Sequence, residues 1–131
     1  MKSYSFHILR VGTAITFLWI AVLIIRNPEA WMGLVQPWAE KLLPFNLEQA
    51  LIETAILDFL IGFFLLIDRF VLAASLFGSI HIVIVLIVVG IDVITVRDIA
   101  ILSGTLALVA ESYPSGFRPK TFKELISLLL K

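Results

Sequence analysis

An all-α integral membrane bundle of four spans is the fold class this chain predicts, and three observations predict it. Four apolar stretches, 8–25, 50–67, 71–91 and 99–109, fill most of its 131 residues. A hydrocarbon core about 30 Å thick takes about 20 apolar residues in a helix. The first three stretches come close to that length, and the fourth reaches it when 93–97 is added. Second, 60% of the residues are hydrophobic and 15% charged, whereas a soluble domain is about half apolar and a quarter charged. A globule of this size cannot hide the surplus, so lipid must cover it. Third, Asp68-Arg69 leaves so short a connection between two spans that only an antiparallel hairpin fits.

The length sets one transmembrane domain over 1–131. Net charge is zero, so no nucleic-acid partner is expected, and the absence of cysteine excludes disulfides, iron–sulfur ligation and thiolate zinc within this chain.

The first span is expected over 8–26. Its basic flank, Met1-Lys2…Arg10, resembles that of a signal peptide. The apolar run is too long for one and no small-x-small cleavage site follows, so the helix is expected to be retained. Next comes a connection of about 20 residues, long for so small a bundle. Asn27 can cap and Pro28 suits a first helical position. Trp31, Leu34, Val35, Trp38 and Leu42 then recur at spacings of three and four, which predicts an amphipathic interfacial helix over 28–42, kinked at Pro37.

Asn46, with Gln49 three residues on, opens a second span over 48–67. The third is expected over 70–91 and the fourth over 95–111. Tyr113-Pro114-Ser115-Gly116 ends it. Thr121 and Glu124 match a capping box, predicting a C-terminal amphipathic helix over 122–130 with Phe122, Leu125, Ile126 and Leu129 on one face. Lys2, Arg10, Arg69, Arg118, Lys120, Lys123 and Lys131 fall on one side, against Arg26, Lys41 and Arg97 on the other. That bias places both termini in the cytoplasm, with a prokaryotic plasma membrane as the expected location.

Polar groups inside spans are expensive and mark the candidate site. Reflecting the hairpin about position 69 puts Asp58 level with about position 79, so His81 lies about 3 Å from that level. Asp58 and His81 are therefore expected to meet near mid-membrane. A carboxylate beside an imidazole suits quinone protonation or a proton relay; the same pair also serves as a structural bond between helices. Ala74, Gly78, His81 and Val85 share one face of the third span, and the small residues turn that face towards protein. Trp19, at mid-depth, either stacks on a flat ring or packs in the core. Glu53 is five residues from Asp58, about 140° round the helix, so the two form no dyad; Glu53 is expected to pair with Arg26 or Arg97. Asp98 is expected as an N-cap or first-turn acid. Arg97 is expected to meet Asp92, Glu53 or a headgroup, and Arg10 to meet Glu111 as a clasp. No catalytic residue is assigned.

His7 and His81 lie about 15 Å apart in depth, so bis-histidine haem is not expected. No metal site is expected either, because only Asp58 accompanies His81. There is no phosphate-binding glycine loop or nucleophile elbow.

Leu9-Arg10-Val11-Gly12 with Phe17-Leu18-Trp19, then Glu53…Gly62-Phe63-Phe64-Leu65-Leu66 before Arg69, and Val96-Arg97-Asp98-Ile99-Ala100-Ile101-Leu102 resemble the DoxX-like family of small four-span membrane proteins. The resemblance covers about residues 8–112. It implies a four-helix membrane bundle whose relatives include subunits of thiosulfate:quinone oxidoreductase and of other membrane oxidoreductase assemblies. Glu53, Arg97 and Asp98 resemble polar positions of the family. With no cysteine here, sulfur chemistry would fall to a partner.

The leading expectation is a quinone- or lipid-binding membrane subunit of an oxidoreductase system, using Asp58, His81 and Trp19. Its cofactor would be a non-covalent quinone. Its partners would be membrane lipids and a soluble or membrane oxidoreductase, with homo-oligomerisation open. The alternatives are a non-catalytic membrane scaffold or assembly protein and a small oligomeric transporter. A cavity beside His81 favours the first, a dry and fully paired Asp58–His81 contact the second, and a water-filled path the third.

Overall fold

A computed structural model describes residues 3–114, 116 and 121–131. Ser115 of the expected helix break, and Lys2, Arg118 and Lys120 of the expected cytoplasmic charges, lie outside the described residues. Seven helices and no strand occur among the described residues: α1 Tyr4–Arg26, α2 Glu29–Met32, α3 Pro37–Glu40, α4 Leu47–Leu66, α5 Val71–Val89, α6 Val96–Ser112 and α7 Phe122–Leu129.

Capping explains several boundaries. Ser3 starts α1 earlier than hydropathy suggests, because its hydroxyl accepts the Phe6 amide at 3.2 Å. The Asn46 side chain accepts the Gln49 amide at 2.8 Å and so opens α4. Thr121 accepts from Glu124 at 3.4 Å and opens α7, whose buried contact is Leu128 rather than the exposed Phe122.

The single kinked helix expected over 28–42 is instead two short helices. Gly33 ends α2, and Gln36 adopts extended backbone at ψ 139. A residue preceding proline is pushed out of the helical region, and Pro37 then sits in the first turn of α3, where its missing N–H costs nothing. Gln36 docks this segment onto the end of α5. Its backbone amide donates to Val88 O and its side-chain Nε2 to Val89 O, both at 3.0 Å. Those carbonyls are ones that α5 itself cannot satisfy.

The four long helices pack as an antiparallel ring. α1 lies along α4 and α5 along α6, and the α4–α5 and α1–α6 contacts close the bundle. Ala14, Phe17, Ile61, Leu65 and Leu108 form its core. The closest approach is at Gly62, where an added Cβ would lie 2.8 Å from Leu18 Cγ and 2.9 Å from the Ala14 carbonyl oxygen. Only the missing side chain lets α1 and α4 come this near. Between α5 and α6 a hydrogen bond joins Ser79 Oγ to Thr105 Oγ1 at 2.9 Å, with both residues buried.

α1, α4 and α5 are long and apolar enough to cross a membrane, which points to a membrane protein. α6 is not among them. It has 17 residues and carries Arg97 and Asp98 in its first turn and Glu111 near its end. Outward-facing residues such as Ile15, Ile56, Phe77 and Ile87 are more than half exposed, so the apolar surplus lies on the outside of the bundle.

Candidate functional site

Asp58 stands on the inner stripe of α4, in register with Leu51, Ala55, Ile61 and Leu65. The same helical periodicity that builds the core therefore carries a carboxylate into it. On α5, the small residues Ala74 and Gly78 precede His81 on the buried face. Asp58 is 3% exposed and His81 8%. His81 Nε2 lies 3.0 Å from Asp58 Oδ1. The two residues that antiparallel depth brings level thus meet. The contact is short but out of line, and Oδ1 has no partner with hydrogen-bond geometry.

A cavity of about 260 Å³ adjoins the pair. Most of its wall is apolar, from Ile20 and Ile24 of α1, Leu51 of α4 and Val85 of α5. Trp31, Leu34, Val35, Ala39 and Leu43 from the segment between α1 and α4 cover it. Its polar groups are Thr54, Asp58, His81, Thr95, Arg97 and Asp98.

Asp98 sits in the first turn of α6, one of its two expected places, with Thr95 as the cap. What sequence reasoning missed is its place in the cavity. Asp98 itself is 6% exposed and lines the cavity with Asp58 and His81. A signal for this was present. Asp98 is seven residues before Thr105, and Thr105 and Leu108 are the buried stripe of α6; two turns back along that stripe leads to Asp98. Arg97 Nε lies 3.7 Å from Asp98 Oδ1, so its partner is its neighbour rather than Asp92 or Glu53.

Other expected contacts fall elsewhere. Trp19 is 62% exposed and lies outside the cavity, on a shallower groove with Thr16 and Arg97. It neither packs in the core nor walls the Asp58–His81 site, because its turn of α1 faces outward. Glu53 is exposed and, among the described residues, accepts only from Gln49 Nε2, at 3.3 Å, with no ion pair to Arg26 or Arg97. Arg10 does not clasp Glu111. It is buried against the end of α4, where its guanidinium donates to the Leu65 and Leu66 carbonyls, and its Nε faces Asp68 at 3.3 Å. Asp92 turns into its own loop. The amides of Thr95 and Ile94 donate to its carboxylate and hold its pKa below the usual carboxylate range.

His7 packs edge-on against Phe6, 5.5 Å between centroids, at the far end of the bundle from His81. Among the described residues no three His, Asp or Glu side chains gather closely enough to hold a metal ion. The carboxylate–imidazole pair and the nearby Asp98 carboxyl offer acid–base chemistry and hydrogen bonding within a mostly apolar chamber. Comparison with protein-family models, curated proteins and solved structures finds no match to this chain.

Proposed function

We propose that the protein is a small membrane subunit that binds a quinone, or a lipid of similar shape, in the chamber beside Asp58 and His81. In this reading α6 is the fourth span, both termini are cytoplasmic, and the segment with Trp31 and Trp38 lies on the outer side. The protein acts with an oxidoreductase, as its resemblance to DoxX-like proteins implies.

One observation carries the reading. A mostly apolar cavity ends on a buried carboxylate–imidazole pair whose hydrogen bonding is incomplete. Ligand sites are typically apolar chambers with a few convergent polar groups. A quinone needs such an arrangement, with a greasy wall for its ring and tail and a titratable pair at its oxygens. A purely structural pair would be expected to satisfy both partners, since an unpaired buried acceptor costs about 1–3 kcal/mol. That comparison favours a ligand role over a scaffold role.

The test is native mass spectrometry of protein purified from its own membrane, with co-purified quinones and lipids identified. Quinone is expected with the unaltered protein and not with His81→Ala. The proposal fails if no quinone is found and His81→Ala leaves quinone-dependent turnover of the membrane unchanged. Topology is tested separately. The chain has no native cysteine, so single cysteines at Ser3 and Leu42 should react with impermeant maleimide from opposite sides.

A further inference from the structure

Of the buried polar residues that border the cavity, three (Asp58, His81 and Asp98) lack completed hydrogen bonding within the described residues. Asp58 Oδ1 faces His81 out of line. The other ring nitrogen of His81, Nδ1, bonds to nothing among the described residues. Asp98, 6% exposed, meets only Arg97, at 3.7 Å, which is beyond hydrogen-bond length.

Hydrogen-bond polarity decides what could complete them. Carboxylate oxygens accept. With the proton of His81 on Nε2, facing Asp58, Nδ1 accepts as well. Against these stand the donors of three lining residues, the Thr54 hydroxyl, the indole N–H of Trp31 on the cover, and the guanidinium of Arg97, whose side chain is half exposed. Thr95 is already committed, donating to the Gly90 carbonyl oxygen at 2.6 Å. The polar end of the chamber is thus rich in acceptors. A ligand that brings carbonyl oxygens leaves those acceptors unpaired, whereas one that brings hydroxyls satisfies them.

A quinone presents two carbonyl acceptors, and its two-electron, two-proton reduced form presents two hydroxyl donors. Resting on the quinone-site reading above, we infer that the chamber selects the reduced dihydroxy form, with the quinol hydroxyls donating to Asp58 and Asp98. Asp98 is then a specificity-determining residue, and it distinguishes the two redox forms of one molecule.

Calorimetric titration tests this directly. The intact protein in lipid nanodiscs is titrated anaerobically with a decyl-chain benzoquinol and, separately, with the matching benzoquinone. The quinol should bind at least about tenfold more tightly, equivalent to a rise of about 30 mV in the reduction potential of the bound two-electron couple. Asp98→Asn keeps the side-chain size but replaces an acceptor oxygen with a donor amide. It should bring the two affinities to within about threefold while quinone binding persists. If Asp98→Asn does not fold, Asp58→Asn is held to the same criterion. Equal or tighter binding of the quinone, or a ratio that the substitutions leave unmoved, overturns the selectivity while leaving the quinone site standing. Binding of neither form by the unaltered protein overturns both.

Discussion

Arg10 and Asp58 are both charged groups withdrawn from solvent, 7% and 3% exposed, at different depths of the same bundle. Two carbonyls at the end of α4 accept from the Arg10 guanidinium, and Asp68 faces its Nε at 3.3 Å without hydrogen-bond geometry. Among the described residues Asp58 has one partner, set out of line, and the chamber lies at its side. The contrast is one of surroundings: Arg10 donates two hydrogen bonds to α4 carbonyls and so ties α1 to α4, while Asp58 borders the chamber that the proposed ligand would enter.

Substitutions can break this contrast. Arg10→Met should be the most damaging, because hydrogen bonds to a charged group are worth about 1.5–3 kcal/mol each. A loss of about 3 kcal/mol is expected in reversible unfolding of the detergent-solubilised protein, with ligand affinity unchanged in the folded fraction. A change in affinity without a change in stability would reverse the roles assigned to the two ends. Gly62→Ala comes next. Its Cβ would meet the Ala14 carbonyl oxygen at 2.9 Å, and backbone cannot move aside as a side-chain tip can. Overpacking of this kind costs about 1–3 kcal/mol, read in the same unfolding experiment.

Asp58→Asn sharpens the contrast from the other side. It keeps the shape and replaces a buried carboxyl whose hydrogen bonding is incomplete, so stability should change by less than about 1 kcal/mol or rise, while quinol affinity falls at least about tenfold by titration. A large loss of stability would make Asp58 a structural residue like Arg10. The smallest effect is expected at Asp92, which is fully exposed. Its pKa is lowered in the fold by the Thr95 and Ile94 amides. Its contribution is therefore present above its unfolded pKa and is lost as pH falls through the lower folded value. Thermal unfolding between about pH 5 and pH 2 should show a slight acid-side loss that Asp92→Asn removes.

Legibility followed periodicity and depth. The long helices, the caps at Asn46 and Thr121, and the meeting of Asp58 with His81 could be read from the sequence because each depends on local spacing or on one short turn. The outer segment was only half legible. Trp31, Leu34 and Val35 of its apolar stripe do cover the cavity, but the extended backbone before Pro37 divides the segment into two helices. Trp38 and Leu42 are left exposed, while Ala39 and Leu43 face the cavity. Arg10 and Trp19 were misread, and the place of Asp98 on the cavity wall was missed, for one common reason. Each helix's rotation about its own axis is set by contacts with other helices, above all the near-touching of α1 and α4 at Gly62, and hydropathy carries no record of that rotation. Rotation turns Asp98 inward, Trp19 outward, and Arg10 towards α4 instead of Glu111.

Gln36 holds the cover of the chamber by two hydrogen bonds to the last turn of α5. Covers of this sort govern traffic rather than preference. Gln36→Ala should hasten entry and escape of a ligand by similar factors, shortening its residence time and leaving the equilibrium constant nearly where it was. In stopped-flow records the residue would therefore show itself as a timekeeper, setting how long each guest stays without choosing which guest is admitted.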